Sequence, residues 1–376
     1  MSVSNILLAF DSFKGSLSSL AVADCVRNAL LELDERRNVQ SCVLSDGGEG
    51  LLASMLEILP LKTIEVSVVD PLFNPLRAMY GWDETQQLAI IESAQANGLP
   101  LVSDTEHNPT KTTAYGVGEL IVDALDRGAK TIMLGLGGSA TNECGLSILE
   151  ALGFRFYDDQ REFITHITGE QLSRIRAIDD SSIHPRLANT RFVCACDVNN
   201  PLTGPQGATM IYGPQKGGTP EILDQLERDM KHIESLIRQK TGIDLSGVEG
   251  AGAAGGIAGG LYALLNAELK PGIEVVLQAQ AFEEKLKVAD LVITGEGKSD
   301  AQTLMGKVPM GVLNQANKHN VPAMLLSGIV DNPQELLAAG FDSVIAIKPD
   351  HQSVEEAMKA SVAKSNLQEA IRKHFA

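Results

Sequence analysis

Residues 291–300 read LVITGEGKSD, a short apolar run that passes directly into glycine and charge. Leu291 to Thr294 read as a buried strand. Open α/β sheets bind ligands where such strands end, at their carboxyl edge. Gly295 and Gly297 lack side chains, so backbone N–H groups there could approach a phosphate. Lys298 could add a point charge. Glu296 and Asp300 could hold Mg²⁺, which prefers carboxylate and water oxygens. A single turn of this kind is more readily a strand-to-helix connection with solvated charges. The pattern recurs, however. Asp11 and Lys14 follow NILLAF, residues 5–10. Asp46, Gly47, Gly48 and Glu49 follow residues 39–44. Gly137, Gly138 and Ser139 follow residues 131–136, and Asp197 follows residues 191–196.

Phosphoryl transfer needs few parts: Mg²⁺ on carboxylates, cations around the γ-phosphate, a base for the acceptor hydroxyl and backbone N–H groups. Asp11, Asp46, Glu49, Asp197, Glu296 and Asp300, with Lys14, Lys216 and Lys298, supply those types. The seven histidines fall outside the glycine loops, which gives a hydrolase triad little support. The only GK[ST] is Gly297-Lys298-Ser299, and Val292 stands where a P-loop needs its first glycine. GLGGSA, residues 135–140, fits GxGxxG/A after a strand and before a helix, a setting for a phosphate at a helix N-terminus. No acidic residue follows on a second Rossmann strand, so NAD binding ranks low. Plainer roles compete at each position. Asp11 and Asp46 could be helix caps, Asp197 could open a turn with Asn199, Asn200 and Pro201, and Lys216 could be solvated. GAGAAGG, residues 250–256, could be tight helix packing.

The elements that must position these loops alternate between strand and helix. Residues 5–10 and 39–44 are strands followed by helices, which implies a parallel sheet. Residues 64–69, 78–82 and 88–93 are short strands joined by tight turns, hence antiparallel. Helix 116–127, strand 131–136, strand 191–196 and an amphipathic helix over 220–240 follow by their spacing. Residues 158–189 show no clear pattern. Regular βα alternation returns with strands at 291–294, 323–327 and 343–347. The expected fold class is α/β with two domains. Residues 1–63 and 282–376 form a discontinuous parallel-sheet domain, and residues 64–281 an inserted mixed α/β domain.

The formal charge of −17 argues against a nucleic-acid partner, whose phosphates need a cationic surface. Five cysteines without a CxxC pair read as reduced thiols of a cytoplasmic protein. The N-terminus passes straight into a strand rather than a signal peptide, and no apolar run reaches membrane-spanning length.

Taken together these segments resemble the type I glycerate kinase family. The likeness runs through nine motifs in order: FDSFKGSL (10–17), SDGGEG (45–50), NPTKTTAYGVGELI (108–121), GLGGSAT (135–141), CDVNNPLTG (196–204), YGPQKGGTP (212–220), GAGAAGG (250–256), LKPGIE (269–274) and VITGEGKSD (292–300). The resemblance implies ATP- and Mg²⁺-dependent phosphorylation of D-glycerate, with the 2-phosphate favoured as product. It also implies a flavodoxin-like discontinuous domain and a site in the cleft between domains. The small-molecule substrate would be the partner, with a homo-oligomer compatible and no membrane. On this reading Asp197 is the base, and Lys298 stabilises the transferring phosphoryl group. Asp46 and Glu296 hold Mg²⁺ or substrate, while Lys14 or the 137–139 turn meets the glycerate carboxylate. A non-catalytic binder or a hydroxy-acid dehydrogenase would be the alternatives. The family usually has Asp-Gly-Gly where this chain has Glu143, Cys144 and Gly145. If that loop needs φ > 0 at Cys144, the residue is strained.

Overall fold

The computed structural model describes residues 4–44, 51–301 and 303–375. In chain order its strands are β1 (Asn5–Phe10), β2 (Asn38–Val43), β3 (Lys62–Val69), β4 (Pro75–Asp83), β5 (Leu88–Glu92), β6 (Thr131–Gly135), β7 (Arg155–Tyr157), β8 (Phe163–Ile164), β9 (Ala177–Asp179), β10 (Arg191–Ala195), β11 (Glu268–Lys270), β12 (Leu291–Gly295), β13 (Lys298–Ser299), β14 (Ala323–Ser327), β15 (Ile329–Val330) and β16 (Ser343–Ala346). They divide between two compact units, residues 1–46 with 272–376, and residues 47–271.

In the first unit β1, β12 and β14 are almost wholly buried. Near-continuous apolar strands of this kind need a layer of helix on each face. The order is β16-β14-β12-β1-β2, parallel throughout. The chain therefore winds one way from β1 to β2 and the other way from β12 to β16. The reversal falls between β1 and β12, the switch point of a flavodoxin-like sheet and the place where such sheets bind ligands. Register brings Phe10 opposite Gly295, so the residues that follow each strand emerge at the same level. Helix Ser19–Leu33 returns the chain to β2; Ser18 caps it, accepting from Ala21 N at 3.3 Å.

The second unit has a six-stranded sheet, β11-β10-β6-β5-β4-β3. β3, β4 and β5 pair antiparallel, as their short turns imply. β5 then pairs parallel with β6, joining that block to a parallel half. Helix Tyr115–Asp126 makes the crossover from β5 to β6. Helix Pro220–Thr241 starts at the Thr219 cap and stops at Gly242, whose φ of 78° suits glycine.

Three local expectations need correction. Residues 158–189, unpatterned in sequence, carry β8 and β9, which flank β7 in a small antiparallel sheet. Strands of two or three residues are too short for a period of two to show. β11 likewise escapes the sequence. Helix Leu51–Ile58 belongs with the second unit rather than the first, because it packs on β4 and β5. A Cβ on Gly81 of β4 would meet Leu52 at 3.1 Å. Helix Gly272–Ala279 goes with the first unit, where Ile273 fills the space beside Gly311.

Candidate functional site

At the switch point of the first unit, the loops after β1 and β12 lie against each other. Asp11 N donates to Gly295 O at 3.0 Å. A Cβ on Gly297 would stand 3.3 Å from Lys14 N, so the two backbones nearly touch. Gly295 is glycine for a packing reason: its Cβ would fall 1.8 Å from the Leu326 carbonyl oxygen. Its role is to let β12 and β14 close, more than to open an N–H toward a ligand. These loops line a cavity of about 360 Å³, with Asp11, Lys14, Glu296, Lys298, Lys307 and Lys348 as its charged groups.

Glu296 is the most constrained of them. It is 6% exposed. Its Oε1 accepts from Thr303 Oγ1 at 2.6 Å and from Ser299 Oγ at 3.3 Å. Its Oε2 lies 3.7 Å from Lys307 Nζ. Burial raises its pKa above the usual glutamate value, against the pull of Thr303 and Lys307. Thr303 Oγ1 also accepts from Asp300 N at 3.0 Å, tying the whole 296–303 loop to one carboxylate. Asp11 is 8% exposed, and its Oδ1 accepts from Ser12 N at 2.6 Å. Lys298 is half exposed on β13, which pairs with β15, and its Nζ is 2.9 Å from Asp331 Oδ2 and 3.5 Å from Asp300 Oδ2. Asp331 chiefly raises its pKa.

In the second unit the carboxyl ends of β5, β6, β10 and β11 share one sheet edge. Asp197 stands there, exposed, one residue beyond Cys196, whose N donates to Lys270 O at 2.9 Å. Residues 137–139 follow β6. Gly138 has φ 62°, its carbonyl accepts from Leu99 N at 2.8 Å, and Ser139 bridges Gly98. Lys216 is 2% exposed and donates to Thr141 O at 2.6 Å and Ser139 Oγ at 3.1 Å. Burial lowers its pKa to about 7. It is a strut under the 137–141 loop rather than a solvated lysine.

The glycine loop does not open a helix. The next helix, Leu146–Ala151, starts only at Leu146. Its amides already have a carboxylate: Glu143 Oε2 accepts from Ser147 N and Oε1 from Ser147 Oγ, both at 3.0 Å. Glu143 is fully buried, and burial raises its pKa to about 7. Cys144 does adopt φ 59°, the left-handed region its position was suspected to need. GAGAAGG serves close packing. A Cβ on Gly255 would lie 2.0 Å from Thr141 O, and one on Gly252 2.3 Å from Pro201 O.

The structure therefore gathers Asp11, Lys14, Gly295, Glu296, Lys298 and Asp300 at one edge, and Gly137, Gly138, Ser139 and Lys216 at another with Asp197 beyond the neighbouring strand. Asp46, Gly47, Gly48 and Glu49 lie outside the described residues. Sequence reasoning missed Lys307, Lys348, Ser299, Thr303 and Ser327, whose Oγ accepts from Glu296 N at 3.3 Å and lies 2.7 Å from Ser299 Oγ. Lys348 follows the end of β16, so the strand-end rule applied above would have found it. Lys307 follows Gly306 in the same charged loop. Among the described residues no three His, Cys, Asp or Glu side chains gather as a metal centre. Two carboxylates lining one cavity still suit Mg²⁺, which binds through one or two carboxylates plus phosphate oxygens.

A phosphate-handling α/β fold, with carboxylates and lysines at its switch point, is the class this geometry defines. The model of the Glycerate kinase family matches residues 6–376. The chain belongs to that family. It is 40% identical to a glycerate kinase of Bacillus subtilis, over 94% of this chain and 93% of that one. It is 38% identical to the glycerate 2-kinase of Escherichia coli K12, over 95% and 93%. The crystal structure of a provisionally named glycerate kinase 2 from Salmonella typhimurium LT2 matches it with a TM-score of 0.86 at 39% identity, covering 100% of this chain and 98% of that one.

Proposed function

We propose that this chain transfers the γ-phosphoryl group of ATP to the 2-hydroxyl of D-glycerate. The observation that carries the reading is the pairing of Asp11 and Glu296 with Lys14, Lys298 and Lys307 around one cavity at the switch point of a flavodoxin-like sheet. The choice of the 2-hydroxyl follows the name of the Escherichia coli relative. Asp11 and Glu296 would hold Mg²⁺, which neutralises phosphate charge when bound. Lys298 and Lys307 stabilise the negative charge of the group in transfer. The hydrogen bonds from Thr303 and Ser299 hold the Glu296 carboxylate in place before substrate arrives. Asp197 accepts the proton of the attacking hydroxyl, a contribution of roughly 10²–10⁴-fold. It stands exposed just beyond the end of β10, where a substrate hydroxyl could reach it. Among the described residues no helix is long and apolar enough to cross a membrane. All five cysteines are unpaired, in keeping with a reducing cytoplasm.

The test is ³¹P NMR of the protein with MgATP and D-glycerate, beside Asp197→Asn. The expected result is a phosphoglycerate resonance split into a doublet by the single C2 proton, lost or strongly slowed in the variant. A triplet would assign the 3-phosphate instead. Full activity in the variant would remove Asp197 as base, and absence of any phosphoglycerate would overturn the kinase reading.

A further inference from the structure

The cavity of the first unit has both charged and apolar lining. Asp11, Lys14, Glu296, Lys298 and Lys307 supply charge from the loops after β1 and β12 and from the start of the following helix, while Ile329, Ile347, Val354, Ala357 and Met358 are apolar. Glycerate has seven heavy atoms and no apolar face, so the apolar wall would give it nothing. A purine base has two flat apolar faces, joined through a ribose to a strongly anionic tail. A lining that combines charged and apolar side chains suits such a molecule, and the volume of about 360 Å³ falls in the range of small-molecule sites rather than of a three-carbon acid.

Two wall residues are unusual for the fold. Val354 is 49% exposed and Met358 42%, although both are large and apolar. They lie on and just beyond the short helix Val354–Ala357, capped by Ser353, which accepts from Glu356 N at 3.1 Å. The turn before it is pinned by Lys348, whose Nζ donates to Pro349 O at 3.2 Å and Gln352 O at 3.1 Å. Gln352 is held in turn by Asn366 Nδ2 at 2.9 Å. So the exposed apolar face is presented by a fixed support, not left at a loose end. Opposite it, Gly15 has φ 76°, and a Cβ there would meet Met358 Cε at 2.9 Å. The loop after β1 thus closes against the same methionine. Ser16 in that loop lines the cavity with a buried hydroxyl that has no hydrogen-bond partner among the described residues. Methionine is a suitable wall for a planar ring, since its thioether is flexible and favours aromatic contact.

The geometry points to this cavity as the adenosine site. The base lies against Ile347, Val354, Ala357 and Met358, and the phosphates lie toward Lys14, Lys307 and the Asp11–Glu296 carboxylates. The inference rests on the reading of the chain as an ATP-using kinase and assigns the nucleotide to the first unit.

The test uses the whole protein with 8-azido-ATP, whose photoreactive group sits on the base, followed by peptide mapping. Label on residues 347–359 or 12–17, competed by ATP, is the expected result. Label on residues 51–271 overturns the assignment. Two variants give a second readout. Met358→Ala should raise KM for ATP about tenfold while KM for D-glycerate stays within about twofold. Ala357→Trp, which fills the cavity, should abolish ADP binding by calorimetry and retain D-glycerate binding. The reverse pattern, or unchanged ADP affinity in both variants, overturns the proposal. Failure of the kinase reading is separately visible, as absence of phosphoglycerate from the unmodified protein.

Discussion

The Lys216 ammonium lies 2.6 Å from the Thr141 carbonyl oxygen, from a side chain only 2% exposed. A lysine removed from water costs free energy unless its donors are used. Here they are used to hold the loop that carries Gly137 and Gly138. Lys216→Met should leave Ser139 Oγ and Thr141 O without their donor and destabilise the protein by about 1–3 kcal/mol. The pH dependence carries a sign. Folding lowers this pKa from 10.5 to about 7, so between those values the unfolded chain binds the extra proton. Stability should rise with pH across that window in the parent and lose that rise in the variant, as read by urea unfolding at a series of pH values.

Glu143 has the opposite sign. Its pKa is raised from 4.5 to about 7 by burial, so in that interval the folded state keeps a proton the unfolded chain has lost. Its contribution to stability is full below 4.5 and declines as pH climbs toward 7. Glu143→Gln keeps an acceptor for Ser147 N and should flatten that decline. Melting temperatures from pH 4.5 to 7 would show it, and an unaltered slope would mean the carboxyl is already ionised.

Cys144 combines a left-handed backbone, φ 59°, with a side chain of zero exposure. The backbone favours glycine by about 1–2 kcal/mol. Cys144→Ala keeps the unfavourable backbone and loses the sulfur's packing, whereas Cys144→Gly also relieves the backbone. The glycine variant should therefore be the more stable of the two by about 1 kcal/mol, measured by chemical denaturation. The opposite order would show that the loop does not hold Cys144 in that conformation.

Glu296→Gln should separate chemistry from folding. Glutamine can still accept from Thr303 and Ser299, so the change in stability should stay within about 1 kcal/mol. Loss of the charge should reduce kcat roughly 10²–10³-fold. In the parent, the raised pKa of Glu296 should place the acid limb of kcat/KM above 4.5. A variant with parental kcat would remove Glu296 from the phosphate machinery.

Much of this was readable in the sequence because each site loop follows an apolar run that ends abruptly in glycine or charge. β1, β12 and β14 appear at or within a residue of their expected bounds. The left-handed Cys144 was also legible, since the resembled motif usually has glycine at that position, which flags the backbone there. Burial was not. Nothing local distinguishes Lys216 from a solvated lysine, because the groups that bury and bond it lie 75 and 77 residues away. The glycine loop was misplaced onto a helix end for a similar reason: the carboxylate that satisfies that helix, Glu143, looks in sequence like another loop acid. β8, β9 and β11 are two or three residues long and leave no period to detect.

The pairing of β1 with β12 has a consequence for synthesis on the ribosome. Ile6 finds its partner in Leu291, and Phe10 in Gly295. At about 5–20 residues per second, the first strand waits on the order of 15–60 s for its neighbour to be made. Through that interval β1 and β2 have apolar surface and open ladder edges, while the contiguous second unit can close on its own. A bound chaperone would shield that edge from other nascent chains. Moving residues 272–376 ahead of residue 4 by circular permutation would remove the wait, and pulse-chase proteolysis should then show the first unit becoming resistant earlier.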